Sequence, residues 1–241
     1  IETILNYEAT NVVVLTNGVL VQKVFSAASF DSKRLSFQIS VDGLEAEHDA
    51  LRGKGTFAKV LRNAAWLRDN AYAFSFSFCV HPHNLHTLLG LIDTTKNAGA
   101  THLHLLWYFV HGRGSDTPIV STDVLLDALL NAYMYACEHG VAIDNFEALK
   151  TQIFAPKGTV HDGSSSGRSS LALGYDGRFY PSAATVGEKE LLMQGKTIAE
   201  ALKSETAERI ARSSVVDLKT PLRFLLGGGD LDHSFHHART L

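Results

Sequence analysis

The chain has 241 residues, 45% of them hydrophobic and 20% charged, and a formal net charge of -3. This composition excludes a disordered chain, which lacks the apolar content that offsets the entropy of ordering. The negative net charge argues against sequence-independent binding to nucleic acid, and no apolar run is long enough to span a membrane. Two cysteines cannot form a disulfide framework, which favours a reducing cytoplasmic location.

Four short apolar runs, each closed by a polar or glycine-containing turn, predict buried parallel strands. They are Asn11–Leu15, Leu35–Ser40, Ala73–Val80 and His102–Phe109. Between the later runs, apolar residues recur with a helical period, with Thr56 and Asn84 as the expected N-caps. Alternation of strands and helices predicts βα units, in which the polar turns gather at the carboxyl ends of the strands.

The pattern changes after Gly114. An amphipathic helix is predicted over Thr122–His139, ended by Gly140, and a loop over residues 155–170. A hairpin around Asp176-Gly177 follows, then a short helix near Glu188–Met193 and a longer one over Ile198–Arg212, opened by a capping box from Thr197 to Glu200. The apolar face of the first helix, expected to pack on the strands, holds Val124, Leu125, Ala128, Leu129 and Ala132.

The best candidate for ligand binding lies where the second predicted strand ends. Ser40 ends that strand, and Arg52 follows twelve residues later. A hydroxyl and a guanidinium at one strand end suit a carboxylate, which arginine can bind through two hydrogen bonds. Phe109, near the end of the fourth predicted strand, could stack on a planar ligand. The alternative is an ordinary turn at Asp42-Gly43 beside a solvated arginine.

Three other features have weaker functional interpretations. The histidine-rich tail from Asp230 to His237 could place His233 and His237 on one helix face as metal ligands, although a polar surface segment is the plainer interpretation. The histidines of His81–His86 suit cap and loop positions. The glycines at 227–229 suit a tight turn better than a phosphate loop, and Cys79 and Cys137 suit structural positions better than nucleophilic ones.

Taken together, the motifs resemble a known family. Residues 12–114 resemble the later part of the radical S-adenosylmethionine (SAM) barrel, through the order of Thr16-Asn17-Gly18, Gln38–Gly43, His48-Asp49-x-x-Arg52 and Gly55-Thr56-Phe57. Residues 171–229 are similar to the SPASM domain of peptide- and protein-modifying members, through Asp176–Pro181, the helix after Thr197, and Pro221–Gly229.

The resemblance implies a partial (β/α)6 barrel that binds SAM and a 4Fe–4S cluster. In such enzymes reductive cleavage of SAM gives a 5′-deoxyadenosyl radical, which abstracts hydrogen from the substrate. Carried over by position, Ser40 and Arg52 would contact the methionine part of SAM, and Phe109 would lie beside the adenine. A peptide or small-molecule substrate and a reducing partner such as flavodoxin or ferredoxin are also implied.

The sequence departs from the family where the metal clusters bind. The three-cysteine cluster motif and the glycine-rich motif of the family lie upstream of the residues matched here, so no metal ligand is expected in this chain. Ser182, Leu226 and Asp230 stand where SPASM cysteines are expected, and a leucine cannot ligate iron. Because the chain begins at Ile1, we expect a piece of a longer protein, inactive by itself.

The sequence therefore predicts an α/β fold. It comprises a radical SAM barrel segment over residues 1–118, a connecting helix and loop over 119–160, and a small α+β, cluster-free SPASM-like domain over 161–241. The expected function of the longer protein is radical chemistry on a peptide, a protein or a small metabolite. A non-catalytic module that binds a peptide or partner protein is the alternative, and a histidine-based metallohydrolase is a third.

Overall fold

We analysed a computed structural model that describes residues 1–27, 30–108, 120–153, 166–212 and 231–238. The chain divides into two compact units. The first comprises Ile1–Tyr108 and Thr117–Ala148, and the second comprises Phe109–Asp116 and Leu149–Leu241. The predicted boundaries near residues 118 and 160 both fall outside the described residues, so the three-part division stays a prediction.

A parallel sheet forms the centre of the first unit, and its four strands lie in chain order. The strands are β1 (Val12–Thr16), β2 (Leu35–Ser40), β3 (Ala73–Val80) and β4 (Leu103–Trp107). The helices of this unit are α1 (Glu2–Leu5), α2 (Val21–Phe25), α3 (Glu45–Arg52), α4 (Thr56–Asp69), α5 (Leu88–Ala98) and α6 (Thr122–His139). A further helix, α7 (Asp144–Ile153), begins in the first unit and ends in the second. The predicted α/β fold is thus confirmed, with the bounds of β2 and β3 as predicted and the ends of β1 and β4 shifted by one or two residues.

The core lies around the two middle strands. The side chains of Phe37, Ile39, Phe76 and Phe78 are almost completely buried. Consecutive residues of β3 are buried on both faces of the sheet, including Ser75 and Ser77. Burial on both faces is typical of a parallel strand that is covered on both sides, whereas buried and partly buried residues alternate along β2. β1 lies at one edge of this sheet, and its Leu15 is 72% exposed.

Two helices begin differently from the prediction. Thr56 is the first residue of α4 rather than its N-cap, which is Gly55, and the α4 N-terminus is capped from a distance by Asp49. Asn84 precedes a short 3₁₀ turn (Leu85–Thr87), and α5 begins only after it. The Asn84 side chain binds backbone carbonyls instead of capping the turn, because it is engaged at the ends of β2 and β3.

The buried face of α6 is rotated from the predicted one. Ala132 and Ala136 are fully buried, Leu125 and Leu129 are partly buried against the core, and Val124 is 56% exposed. The prediction for Val124 was wrong. The helix packs beside α5, and the Tyr135 hydroxyl donates one bifurcated hydrogen bond to the Asp93 carboxylate, with both oxygens 3.0 Å away. This contact joins α6 to α5 on the face that also buries Ala132 and Ala136.

We expect Leu129→Ala to lower the free energy of unfolding by about 1–2 kcal/mol. Complete burial of a leucine is worth roughly 1.5–3 kcal/mol, and this side chain is only partly buried. Leu130→Ala is the matched control, since Leu130 is the next residue of α6 and is 51% exposed. The two variants should be compared by urea titration. Equal losses, or a loss below about 0.5 kcal/mol for Leu129→Ala, would contradict the described packing.

The second unit contains a small antiparallel hairpin and short helices. The elements are β5 (Ala172–Leu173), β6 (Phe179–Tyr180), α8 (Ile198–Ala201), α9 (Glu205–Arg212) and α10 (Leu231–Ala238). The predicted hairpin is confirmed. The predicted single helix over Ile198–Arg212 is wrong: Ser204 donates to the carbonyl of Ala201 and accepts the N–H of Ala207, so one helix ends and another begins there.

Two further local predictions in the second unit need correction. Near Glu188–Met193 only a 3₁₀ turn (Lys189–Leu191) forms, and Met193 instead bridges to Phe179 beside the hairpin. The capping box is half formed: Thr197 Oγ1 accepts the N–H of Glu200, but the Glu200 carboxylate binds the N–H of Lys196. No described helix is both long and apolar enough to cross a lipid bilayer.

Candidate functional site

The candidate site is built on the segments that follow β1, β2 and β3. Because these strands are parallel, their carboxyl ends lie at the same edge of the sheet. Thr16-Asn17-Gly18 follows β1, and Val41-Asp42-Gly43 follows β2. Gly18 has a φ of +74°, and a Cβ there would lie 2.5 Å from a methyl carbon of Ile39, so only glycine allows this close approach.

Asp42 lies at the centre of the site and is only 6% exposed. The next residue, Gly43, has a φ of +125°, and a Cβ there would lie 2.8 Å from Glu47 Cβ. The turn therefore requires glycine at this position, and it directs the chain from the end of β2 into α3. One Asp42 carboxylate oxygen, Oδ2, accepts a hydrogen bond from Arg52, while Oδ1 is buried without a partner among the described residues.

His48 lies on α3 and is completely buried. Its Nδ1 accepts the backbone N–H of Asp42 at 3.1 Å, so the proton of the neutral ring resides on Nε2. That Nε2–H has no partner among the described residues. Burial lowers the pKa of His48, the nearby Arg52 lowers it further, and the carboxylate of Asp42 opposes them. The ring also packs edge-on against Phe57, with centroids 5.7 Å apart.

Arg52, the last residue of α3, forms an ion pair with Asp42. Only its Nε–H is used in this pair, so both terminal Nη groups remain without a hydrogen-bond partner among the described residues. The side chain is 33% exposed. The guanidinium of Arg52 is therefore fixed by Asp42 and presents both Nη nitrogens along one edge. It is not the fully solvated arginine beside an ordinary turn that the alternative interpretation expects.

Two further side chains fix the loops around Asp42. The carboxylate of Asp49 accepts the N–H groups of Gly55 and Phe57, which joins α3 to the start of α4 and lowers the pKa of Asp49. Asn84 donates to the carbonyls of Asp42 (3.2 Å) and Cys79 (2.9 Å). The loop after β3 is thereby held to the loop after β2.

A polar cavity of about 240 Å³ opens beside this network. Its lining residues are Asn17, Val19, His48, Arg52 and Thr56. Asn17 Oδ1 already accepts the N–H of Val19, which leaves the Asn17 amide NH₂ as a donor. Two accessible donor types therefore line one cavity, an amide and a guanidinium, and the completely buried imidazole of His48 adjoins it. Such a lining suits an anionic group, and a carboxylate in particular.

The structure places two of the three predicted ligand-binding residues. Arg52 lines the cavity, whereas Ser40 is half-buried at the end of β2 and is not among the cavity residues. Ser40 lies opposite Ser77 of β3 in the sheet, and its hydroxyl has no hydrogen bond to a described residue. Phe109 lies outside the described residues. Convergence of the three residues on one cavity stays a prediction.

Sequence reasoning missed Asp42, His48 and Asn84 as parts of this site. The sequence indicated a turn at Asp42 and a helix cap at Asn84, without a ligand-site role for either residue. One sequence signal for a shared site was available. His48 precedes Arg52 by four residues, and residues i and i+4 lie on the same face of a helix. Their hydrogen bonds to the turn after β2, however, depend on the path of the chain in three dimensions.

The other candidate sites of the sequence receive less support. Burial raises the pKa of the Cys79 thiol to about 11, which agrees with a structural role. Cys137 is exposed on α6. Among the described residues, no group of three or more histidine, cysteine, aspartate or glutamate side chains could hold a metal ion. Asp230 and the side chains of His233 and His237 lie outside the described residues, so the tail interpretation is not tested.

Ser182, which stands at an expected cysteine position, lies in a polar contact of the second unit. Its hydroxyl donates to the carboxylate of Asp232 on α10, and Ser182 and Thr185 form a capping box. The imidazole of His236, also on α10, lies 2.9 Å from the carbonyl of Ala184. Hydrogen bonds thus join α10 to the segment from Ser182 to Thr185.

We expect His48 to make stability depend on pH. Because its folded pKa is lowered, its stabilising contribution is complete above about pH 6.5 and is lost as pH falls toward the folded pKa. His48→Asn keeps an acceptor near the Nδ1 position but does not titrate, so the pH slope of the unfolding free energy below pH 6.5 should become smaller. His86→Asn, at a more exposed histidine, is the control. An unchanged slope in His48→Asn would contradict the assignment.

One curated relative shares significant sequence similarity with the chain. It is an AdoMet-dependent heme synthase of Methanosarcina barkeri (strain Fusaro / DSM 804), 33% identical over 117 residues. The match covers 46% of this chain, and it spans only 32% of the length of that relative. AdoMet is the same compound as SAM. No family-level sequence profile matches the chain.

Solved structures with the same fold include anSMEcpe and SuiB. Native anSMEcpe with bound AdoMet and the Kp18Cys peptide gives a TM-score of 0.72 at 16% identity, covering 92% of this chain and 67% of anSMEcpe. SuiB of Streptococcus suis gives a TM-score of 0.54 at 10% identity, covering 81% of this chain and 47% of SuiB. At these identities the matches show the fold alone.

The comparisons confirm the predicted resemblance to radical SAM enzymes and the predicted fold class. The heme synthase and anSMEcpe are both radical SAM enzymes, and the structural match extends over both units of the chain. The shared architecture is a partial barrel. In this fold the carboxyl ends of the parallel strands, where Asp42, His48 and Arg52 lie, form the face that ordinarily carries the ligand site.

Proposed function

We propose that the chain is the AdoMet-binding later part of a radical SAM enzyme, and that Arg52 and Ser40 bind the methionine carboxylate of AdoMet. The observation that supports this proposal most directly is the Arg52 guanidinium, held by Asp42 through Nε with both Nη groups unpaired beside a polar cavity. Two N–H groups on one edge match the two oxygens of a carboxylate. The free hydroxyl of Ser40 would add a third donor.

The residues present fit AdoMet but not the iron–sulfur cluster. The cavity offers donors suited to a carboxylate, and Phe109 is proposed to lie beside the adenine. A 4Fe–4S cluster commonly needs three or four thiolates, and the two cysteines are a partly buried strand residue and an exposed helix residue. The ligands of the cluster are therefore proposed to belong to another part of the full-length protein. AdoMet, when bound at the Arg52 cavity, would supply the hydrogen-abstracting radical.

The substrate proposed is a peptide or a small metabolite. The peptide is supported by anSMEcpe, which shares the fold and was solved with the Kp18Cys peptide. The small metabolite is supported by the heme synthase, the curated relative. A reducing partner such as flavodoxin or ferredoxin and a cytoplasmic location belong to the same proposal, since the cluster must be reduced and kept from oxidation.

The proposal is tested by assaying the full-length protein under anaerobic conditions. After cluster reconstitution, with a chemical reductant and AdoMet, we expect formation of 5′-deoxyadenosine in amounts that exceed those of a Ser40→Ala, Arg52→Ala double variant. A protein that binds AdoMet but releases no 5′-deoxyadenosine would instead support a non-catalytic module that recognises a peptide or partner protein. A protein that does not bind AdoMet at all would overturn the proposal.

A further inference from the structure

The Arg52 guanidinium is held by Asp42, whose main chain is itself held by two other side chains. The backbone N–H of Asp42 binds His48, its carbonyl accepts from Asn84, and its carboxylate accepts the Nε–H of Arg52. Asp42 therefore has its main chain fixed by two buried or partly buried side chains before it contacts the arginine. A side chain anchored in this way can select one orientation of a flexible partner.

Arg52 pairs with Asp42 through its Nε nitrogen, and this affects how Arg52 can bind a ligand. An arginine paired through Nε alone keeps the Nη1 and Nη2 edge free, and Arg52 has no other hydrogen bond among the described residues. A free arginine side chain must give up rotational freedom when it binds a ligand. At Arg52 that ordering has already taken place in the folded protein, so a ligand meets a pre-organised donor pair.

We propose that Asp42 and His48 are positioning residues of the site: His48 fixes the main chain of Asp42, and Asp42 fixes the guanidinium of Arg52 for a carboxylate ligand. This inference rests on the proposed function, since the carboxylate is that of AdoMet. Neither residue needs to touch the ligand. Their effect on affinity passes through Arg52, and that dependence distinguishes positioning from a general structural role.

The structure offers a variant that removes the positioning contact alone. Asp42→Ala deletes the carboxylate but keeps the backbone N–H and carbonyl that His48 and Asn84 bind. Asp69→Ala is the matched control, because Asp69 also accepts the Nε–H of an arginine, Arg68, but at an exposed surface. For His48, the variant His48→Asn keeps an acceptor near Nδ1, whereas His48→Leu removes it.

The dissociation constant of AdoMet should be measured by anaerobic calorimetry on the full-length protein. We expect Asp42→Ala to weaken binding about five- to twentyfold, and Asp69→Ala to leave it unchanged. In an Arg52→Ala background, Asp42→Ala should cause no further loss. His48→Leu should weaken binding more than His48→Asn. The melting temperature of each variant shows whether a loss of affinity comes from unfolding. If Asp42→Ala lowers the melting temperature, the comparison of Arg52→Ala with the Asp42→Ala, Arg52→Ala double variant still tests the proposal.

The possible results separate this inference from the proposed function. If the unaltered protein binds AdoMet and the Asp42→Ala variant binds it with the same dissociation constant, the positioning role is overturned while the proposed function stands. Losses that add fully in the Asp42→Ala, Arg52→Ala double variant also overturn it, since they show that Asp42 acts independently of Arg52. If the unaltered protein does not bind AdoMet, both proposals fail.

Discussion

Replacing Arg52 by alanine should weaken AdoMet binding to the full-length protein by about 1.5–3 kcal/mol, or roughly 10- to 150-fold, the usual worth of a hydrogen bond to a charged group. The physical reason is the loss of both unpaired Nη groups beside the cavity. Arg52→Lys should restore only part of the affinity, because an ammonium cannot form the bidentate contact.

The appropriate control for Arg52 is Arg68→Ala. Arg68 also pairs with an aspartate through Nε, but its side chain is 50% exposed and lies on α4 rather than at the cavity. Its replacement should change AdoMet affinity by less than a factor of two, in line with the small effects of most surface substitutions. Equal effects of Arg68→Ala and Arg52→Ala would show that the loss reflects net charge, and the Arg52 site would be wrong.

Replacing Phe76 by alanine should lower the free energy of unfolding by about 3–5 kcal/mol. Phe76 is completely buried in the central strand β3, and its ring lies 5.8 Å from that of Phe74. The loss combines the transfer of a large apolar side chain to water with the cavity left between sheet and helices. A loss of this size is a large fraction of the stability of an ordinary domain.

Urea titration followed by circular dichroism measures this change, with Tyr7→Ala as the aromatic control. Tyr7 is 69% exposed in the same unit, so its replacement should cost less than about 0.5 kcal/mol. If Phe76→Ala costs less than about 1.5 kcal/mol, the face of β3 that carries Phe76 is not buried, and the described packing of that face would be wrong.

Phe76 and Arg52 belong to different parts of the first unit. Phe76 lies in the apolar interior, whereas Arg52 lies on α3, just past the carboxyl end of β2. The loops that carry the site are short and are joined by side chain to main chain hydrogen bonds from His48, Asn84 and Asp49. A site of this kind depends on the rigidity of its loops as much as on the residues that contact the ligand.

Much of the fold could be predicted from the sequence, because local patterns determine it. Buried parallel strands read as continuous apolar runs, and Gly99 and Gly140 end their helices in the left-handed conformation that glycine favours. The Asp176-Gly177 turn specified the hairpin of the second unit. The position of Arg52 near a strand end also followed from the order of strand, turn and helix.

Only the tertiary structure decided which partners these elements use. The face that α6 buries depends on its contact with α5, where Tyr135 binds Asp93 across 42 residues of sequence. The helical period of α6 permits more than one face, and Val124 was therefore assigned to the wrong side. The break at Ser204 arises because its hydroxyl binds two backbone groups, and a capping box earlier in the segment does not reveal it.

The same division holds at the candidate site. The sequence by itself placed Arg52 beside the cavity, since residue type and distance from a strand end are local properties, and the same expectation for Ser40 stays a prediction. It did not reveal that Asp42 holds Arg52, that His48 holds Asp42, or that Asn84 joins the loops after β2 and β3. Those hydrogen bonds depend on side chains from separate segments meeting at one edge of the sheet, and only the folded chain brings them within reach.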